Sequence, residues 1–210
     1  MLVAILSAAS GAAVALRMDS SADVIGKLTV SGELAKSSER EISDAIEQAQ
    51  RIWLVVGVAK GFLLMPLAVL AIAVVLKVAG WLIARKAAFA ACLTAASLAM
   101  LPVALFHAVE LVSALRQVVL TPAMAESLVP TSLLALRDAQ LPWSRVLKAA
   151  DLVNVWSALV MGLGFASASK WSPWKGALFG LALYVLFAGA FLIGLPGLMA
   201  GRPGMGGPTP

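Results

Sequence analysis

The chain has 210 residues, 61% hydrophobic and 13% charged, with a formal net charge of +5. A soluble domain carries about 45–50% apolar and about 25% charged residues, and a small soluble core cannot hide such an excess behind a polar surface. The composition excludes an ordinary soluble domain, and because Lys and Arg gather between apolar runs, where they fix topology and meet anionic headgroups, the charge points to the bilayer rather than to nucleic acid.

Leu2 to Leu16 is apolar but only about 22 Å long as a helix, short for a span. It reads as a first membrane span (1–17). The rival is a cleaved signal, since Ala13-Val14-Ala15 resembles an A-x-A site, although no positive segment precedes the run. Residues 18–52 form the long polar segment. Ser38 and Glu41 have capping-box spacing, and Ile42, Ala45, Ile46 and Ala49 form one apolar stripe of a helix. No Pro or Gly separates this helix from the next apolar run, so it is expected to continue into the membrane.

Residues 53–200 form a four-span bundle. Its first span covers Trp53 to Val78, with a kink expected at Pro66; the next covers Ala87 to Ser113, with a bend expected at Pro102. Residues 116–148 are an amphipathic insert with short interfacial helices. The following span runs from Asp151 to Ser169. The last, from Gly176 to Met199, comes after the turn Trp171-Ser172-Pro173-Trp174. Residues 201–210, rich in Gly and Pro, form a disordered tail. The fold class is therefore all-α, a polytopic membrane helix bundle of about five spans. Residues spaced every four positions, at Ala87, Ala91, Ala95 and Ala99, at Gly176, Gly180, Tyr184 and Ala188, and at Gly162 and Ala166, are nearly all small, which marks faces for close helix packing. The basic short turns, with Lys77, Arg85, Lys86, Lys170 and Lys175, favour a cytoplasmic N-terminus.

Polar residues inside apolar runs are the candidates for a site, because they are costly in lipid. Lys60 lies about two turns into its span, and His107 and Glu110 are one turn apart on the next. Equal rise along the hairpin of these two spans places Lys60 opposite about residues 105–106. Asp151 enters from the same side, so Lys60, His107, Glu110 and Asp151 are expected at one mouth of the bundle. An ion pair of Lys60 with Glu110, snorkelling of both to the interface, and a proton or ion relay are the competing readings. His107-x-x-Glu110 offers two ligands on one helix face, too few for a metal site. No zinc-protease, nucleophile-elbow, phosphate-loop or C-x-x-C pattern occurs, and Gly162-Leu163-Gly164 lies within a span with no strand before it. No catalytic residue, cofactor or metal is therefore expected.

Residues Lys77 to Leu198 carry a further pattern. Lys77-Val78-Ala79-Gly80 precedes an Ala-rich span ending Met100-Leu101-Pro102-Val103. After the insert come Asp151-Leu152-Val153-Asn154-Val155-Trp156, Met161-Gly162-Leu163-Gly164-Phe165 and Lys170-Trp171-Ser172-Pro173-Trp174-Lys175. This stretch, over half the chain, resembles the bacterial branch of the Yip (Ypt-interacting protein) domain family. Asp151, Trp156, Gly162 and Gly164 stand at the motif positions, with Val153 where the family has an aromatic. The resemblance implies five spans, a cytoplasmic N-terminal side and residence in a bacterial inner membrane. Eukaryotic relatives serve vesicle trafficking through small GTPases and carry an Asp-Leu-Tyr-Gly-Pro motif. It is absent here, where Tyr184 is the only tyrosine, so that role is not carried over. The expected function is non-enzymatic: membrane organisation or a subunit of a membrane assembly. The lipid bilayer and a protein partner or second copy are the expected partners. A small transporter or channel using the polar mouth is the alternative.

Overall fold

The computed structural model describes residues 1–121, 124–125, 128–133 and 143–194. The described residues are helical, with no strand among them. They fall into two compact units: Met1–Ala71 with Val103–Pro130, and Ile72–Pro102 with Thr131–Pro210.

In the first unit, α1 (Leu2–Arg17) leads through a short connection to α2 (Ser21–Ser31). The turn into α2 is held by Asp19, whose Oδ1 accepts from the Ser21 N–H at 2.9 Å and the Ser21 hydroxyl at 2.5 Å. Gly32, at φ 72°, ends α2 in the left-handed region that a glycine enters without a Cβ penalty. Helix α3 (Glu39–Ala59) opens on the expected capping box: the Ser38 N–H donates to Glu41 Oε2 at 2.7 Å, and the Glu41 N–H donates to Ser38 Oγ at 3.3 Å. The stripe of Ile42, Ala45, Ile46 and Ala49 is half-buried, with α2 packed along α3.

The polar helix does continue into the apolar run. Helix α3, a π-helical turn (Lys60–Leu64) and α4 (Met65–Leu82) form one helix of 44 residues, Glu39–Leu82. At 1.5 Å per residue it is about 66 Å long, about twice the hydrocarbon thickness. Its charged residues are concentrated between Glu39 and Arg51, with only Lys60 and Lys77 beyond Ile52. The disruption expected at Pro66 takes the form of that π turn. Proline has no N–H for the carbonyl of residue 62 and its ring presses on that carbonyl; a wider turn just before it relieves both. The second π turn, Ala188–Gly194, likewise precedes a proline in sequence, Pro196.

Helices α5 (Phe89–Ala99) and α6 (Leu101–Arg116) form one apolar stretch of 28 residues. The break comes at Met100, whose N–H bonds the Ser97 carbonyl three residues back at 3.2 Å, two residues ahead of Pro102. In the first unit, residues 117–120 return beside the end of α1. The Leu120 N–H donates to the Arg17 carbonyl at 2.7 Å, and Leu120 is buried against Ala13 and Ala114.

The second unit contains α5, α7 (Trp143–Ala149), α8 (Leu152–Ala168) and α9 (Pro173–Phe187). Helix α8 packs on both α5 and α9. The small-residue faces make these contacts. A Cβ on Gly162 would collide with the Gly176 carbonyl, one on Gly180 with the Ala158 carbonyl, and one on Gly164 would lie 2.9 Å from the Ala95 Cβ. Leu76, Cys92, Ala96 and Phe165 form the fully buried core. At the α4–α5 turn, Lys77 donates to the Ala87 carbonyl at 2.7 Å, and Arg85 lies 5.5 Å from the centre of the Trp171 ring.

Among the described residues, three helices are long and apolar enough to cross a membrane: Glu39–Leu82, Phe89–Arg116 and Pro173–Phe191. The other two apolar helices, Leu2–Arg17 and Leu152–Ala168, are shorter, at about 24–26 Å. Of the insert at 116–148, α7 is described; residues 122–123, 126–127 and 134–142 and the tail at 201–210 lie outside the described residues.

Candidate functional site

Three helices of the first unit line a half-open cavity of about 200 Å³. Helix α1 contributes Ser7 and Ser10, the α3 segment and its π turn contribute Trp53, Val56 and Lys60, and α6 contributes His107 and Glu110. The cavity exists because its walls approach closely at one edge. A Cβ on Gly11 would lie 2.7 Å from the Gly57 carbonyl oxygen, and one on Gly61 would lie 2.7 Å from the Ala8 Cα. Only glycines allow α1 and α3 to touch backbone to backbone here. Their pattern, Gly57-Val58-Ala59-Lys60-Gly61, is a G-x-x-x-G motif, a small-residue face beyond those expected above.

The polar groups form a short chain. His107 Nδ1 lies 2.9 Å from Glu110 Oε2 and 3.1 Å from Ser10 Oγ, whose hydroxyl donates to the Ser7 carbonyl at 3.1 Å. A carboxylate only accepts, so the proton on Nδ1 points to Glu110, and Ser10 Oγ is free to accept from the same N–H. The His107 and Glu110 side chains are 14% and 22% exposed, so the pair is mostly shielded. His107 also lies edge-on to Phe106, ring centres 5.3 Å apart.

The expected ion pair of Lys60 with Glu110 does not form: Glu110 pairs with His107, and among the described residues Lys60 has no ion-pair partner. Residues three apart on a helix are already neighbours, so Glu110 reaches His107 without immobilising a long lysine stem from another helix. Lys60, His107 and Glu110 nevertheless share one cavity.

Asp151 belongs to the second unit. It caps α8 by accepting from the Asn154 N–H at 2.9 Å, and its second oxygen takes the Thr131 hydroxyl. Nearby, the Tyr184 hydroxyl donates to the Ala149 carbonyl, tying α9 to the end of α7. Of the other motif positions, Gly162 and Gly164 make the helix contacts described above, and Trp156 is exposed on α8. Among the described residues, no group of three or more His, Cys, Asp or Glu is placed to hold a metal ion. No family model, no curated protein and no solved structure matches the chain.

Proposed function

We propose that the chain is a non-enzymatic integral membrane protein that organises membrane or serves as a subunit of a membrane assembly. In this reading it has about five spans, sits in a bacterial inner membrane with its N-terminus inside, and contacts a protein partner or a second copy. The observation that carries it is the distribution of exposed apolar side chains. Leu63, Leu67, Val74, Leu105, Val112 and Leu186 are all exposed on the three long helices, a surface that lipid covers and water would not tolerate. The packing of the two shorter apolar helices supports the count, since α8 lies along α9 through its glycine contacts and α1 along α3 through Gly11 and Gly57. The Yip-like residue pattern supports the same topology. Mild-detergent extraction followed by sizing and chemical crosslinking tests the assembly role. A discrete complex or dimer is expected; a strictly monomeric species from membranes at native abundance contradicts it.

A second reading, a small transporter or channel, draws on the cavity with Lys60, His107 and Glu110. Reconstitution into liposomes with proton and monovalent-cation flux readouts tests it. Background flux is expected, and robust flux abolished by Lys60→Ala would put the transporter first.

A further inference from the structure

We propose that the α1–α3–α6 cavity holds the phosphate of an acidic phospholipid, with Lys60 as its counter-ion. The proposal rests on the membrane reading above and names the ligand class of its polar cavity.

The pairing of the polar groups around the cavity leads there. Glu110 is turned to His107 at 2.9 Å, and the Ser10 hydroxyl is spent on the Ser7 carbonyl. The Lys60 ammonium is the charge left without an ion-pair partner among the described residues. It lies seven residues, about 10 Å of helix rise, beyond Trp53, a residue type that favours the headgroup level. Its neighbours Leu63 and Leu64 are 69% and 49% exposed, so this turn faces lipid. A charge left unpaired within an apolar span is costly. A lipid phosphate drawn toward the cavity supplies the missing partner at the end of the lysine's four-carbon reach.

The geometry also limits the ligand. The cavity, at about 200 Å³, is smaller than a typical ligand pocket of about 300–1,000 Å³, which suits a headgroup phosphate and not an acyl chain. The chains would lie outside, on the exposed Leu63 and Leu64. A cation is disfavoured by Lys60. Glu110 on the wall disfavours a dianion, so a phosphodiester with one negative charge fits best.

The test uses the full chain in a neutral detergent. Thermal unfolding is followed with micelles doped with phosphatidylglycerol, with phosphatidylcholine, or with inorganic phosphate alone, and retained lipid is counted by native mass spectrometry. Phosphatidylglycerol is expected to stabilise more than phosphatidylcholine. Lys60→Met should abolish that difference and lower retained acidic lipid roughly fivefold, the effect of about 1 kcal/mol. Lys60→Arg should keep it, as should Lys175→Met in the other unit. Equal stabilisation by both lipids, or an unchanged difference in Lys60→Met, overturns the proposal. Full stabilisation by inorganic phosphate alone overturns the lipid as its source. If Lys60→Met does not fold, Lys60→Gln in the same comparison decides. Failure of the membrane reading shows separately, as release of the protein from membranes by alkaline carbonate.

Discussion

Glu110 faces His107 across one turn of α6, Oε2 to Nδ1 at 2.9 Å, while Lys60 on the opposite wall of the same cavity stays outside the pair. The coupling energies should follow that geometry. Glu110→Gln is expected to cost up to about 1.5–3 kcal/mol, the range for hydrogen bonds to charged groups. A double-mutant cycle of His107→Gln with Glu110→Gln should show coupling above about 0.5 kcal/mol, and the cycle of Lys60→Met with Glu110→Gln should be additive. Strong coupling in the lysine cycle and none in the histidine cycle would restore the cross-helix ion pair.

The contact of α1 with α3 depends on glycine. A Cβ on Gly57 would stand 2.8 Å from the Gly11 carbonyl oxygen, a backbone atom that cannot rotate away. Gly57→Leu should therefore push α1 off α3, costing about 1–3 kcal/mol or more by overpacking. Gly26→Ala is the control, because nothing lies within 4 Å of its Cβ position. Thermal unfolding in detergent reads both; equal midpoints would remove the backbone contact from the account.

In the second unit the chain's single cysteine reports on packing. Cys92 is fully buried on α5, one turn from Ala95, which meets Gly164 of α8. A maleimide should leave Cys92 unlabelled in mild detergent and label it after denaturation. Gly164→Val should raise labelling in mild detergent by separating α5 from α8. Rapid labelling of the unsubstituted protein would contradict the buried core.

The start of α3 should respond to acid. Hydrogen bonds from the Ser38 backbone N–H and hydroxyl hold the Glu41 carboxyl below its ordinary value of 4.5. A carboxyl depressed in the folded state stabilises it above the ordinary value, and the contribution is lost as pH falls through the depressed one. Amide exchange at residues 39–42 should be protected at neutral pH and lose protection below pH 4.5. In Ser38→Ala the first-turn protection should already be weakened at neutral pH. An acid response identical in Ser38→Ala and the unsubstituted chain would dissociate it from the cap.

Much of the helical layout was legible because its signals are local. The Ser38–Glu41 box and the unbroken run from polar to apolar helix each need a few neighbouring residues. The glycine faces at Gly162, Gly176 and Gly180 were legible by spacing alone. The π turn was not, since Pro66 announces a disruption without fixing its form. The partner of Glu110 was not legible, because equal rise along a hairpin sets the depth of Lys60 but not which base is nearer, and His107 is one turn away on the same helix. Ser10 was missed altogether: a serine in an apolar helix gives no signal until α1 is placed against α6.

The central claim is that the long apolar helices lie in a bilayer, and extraction of native membranes with alkaline carbonate tests it most directly. The protein is expected to stay in the membrane pellet and to leave it only with detergent. Its recovery in the carbonate supernatant would contradict the claim, and with it the lipid-facing role of Leu63, Leu67 and Val74.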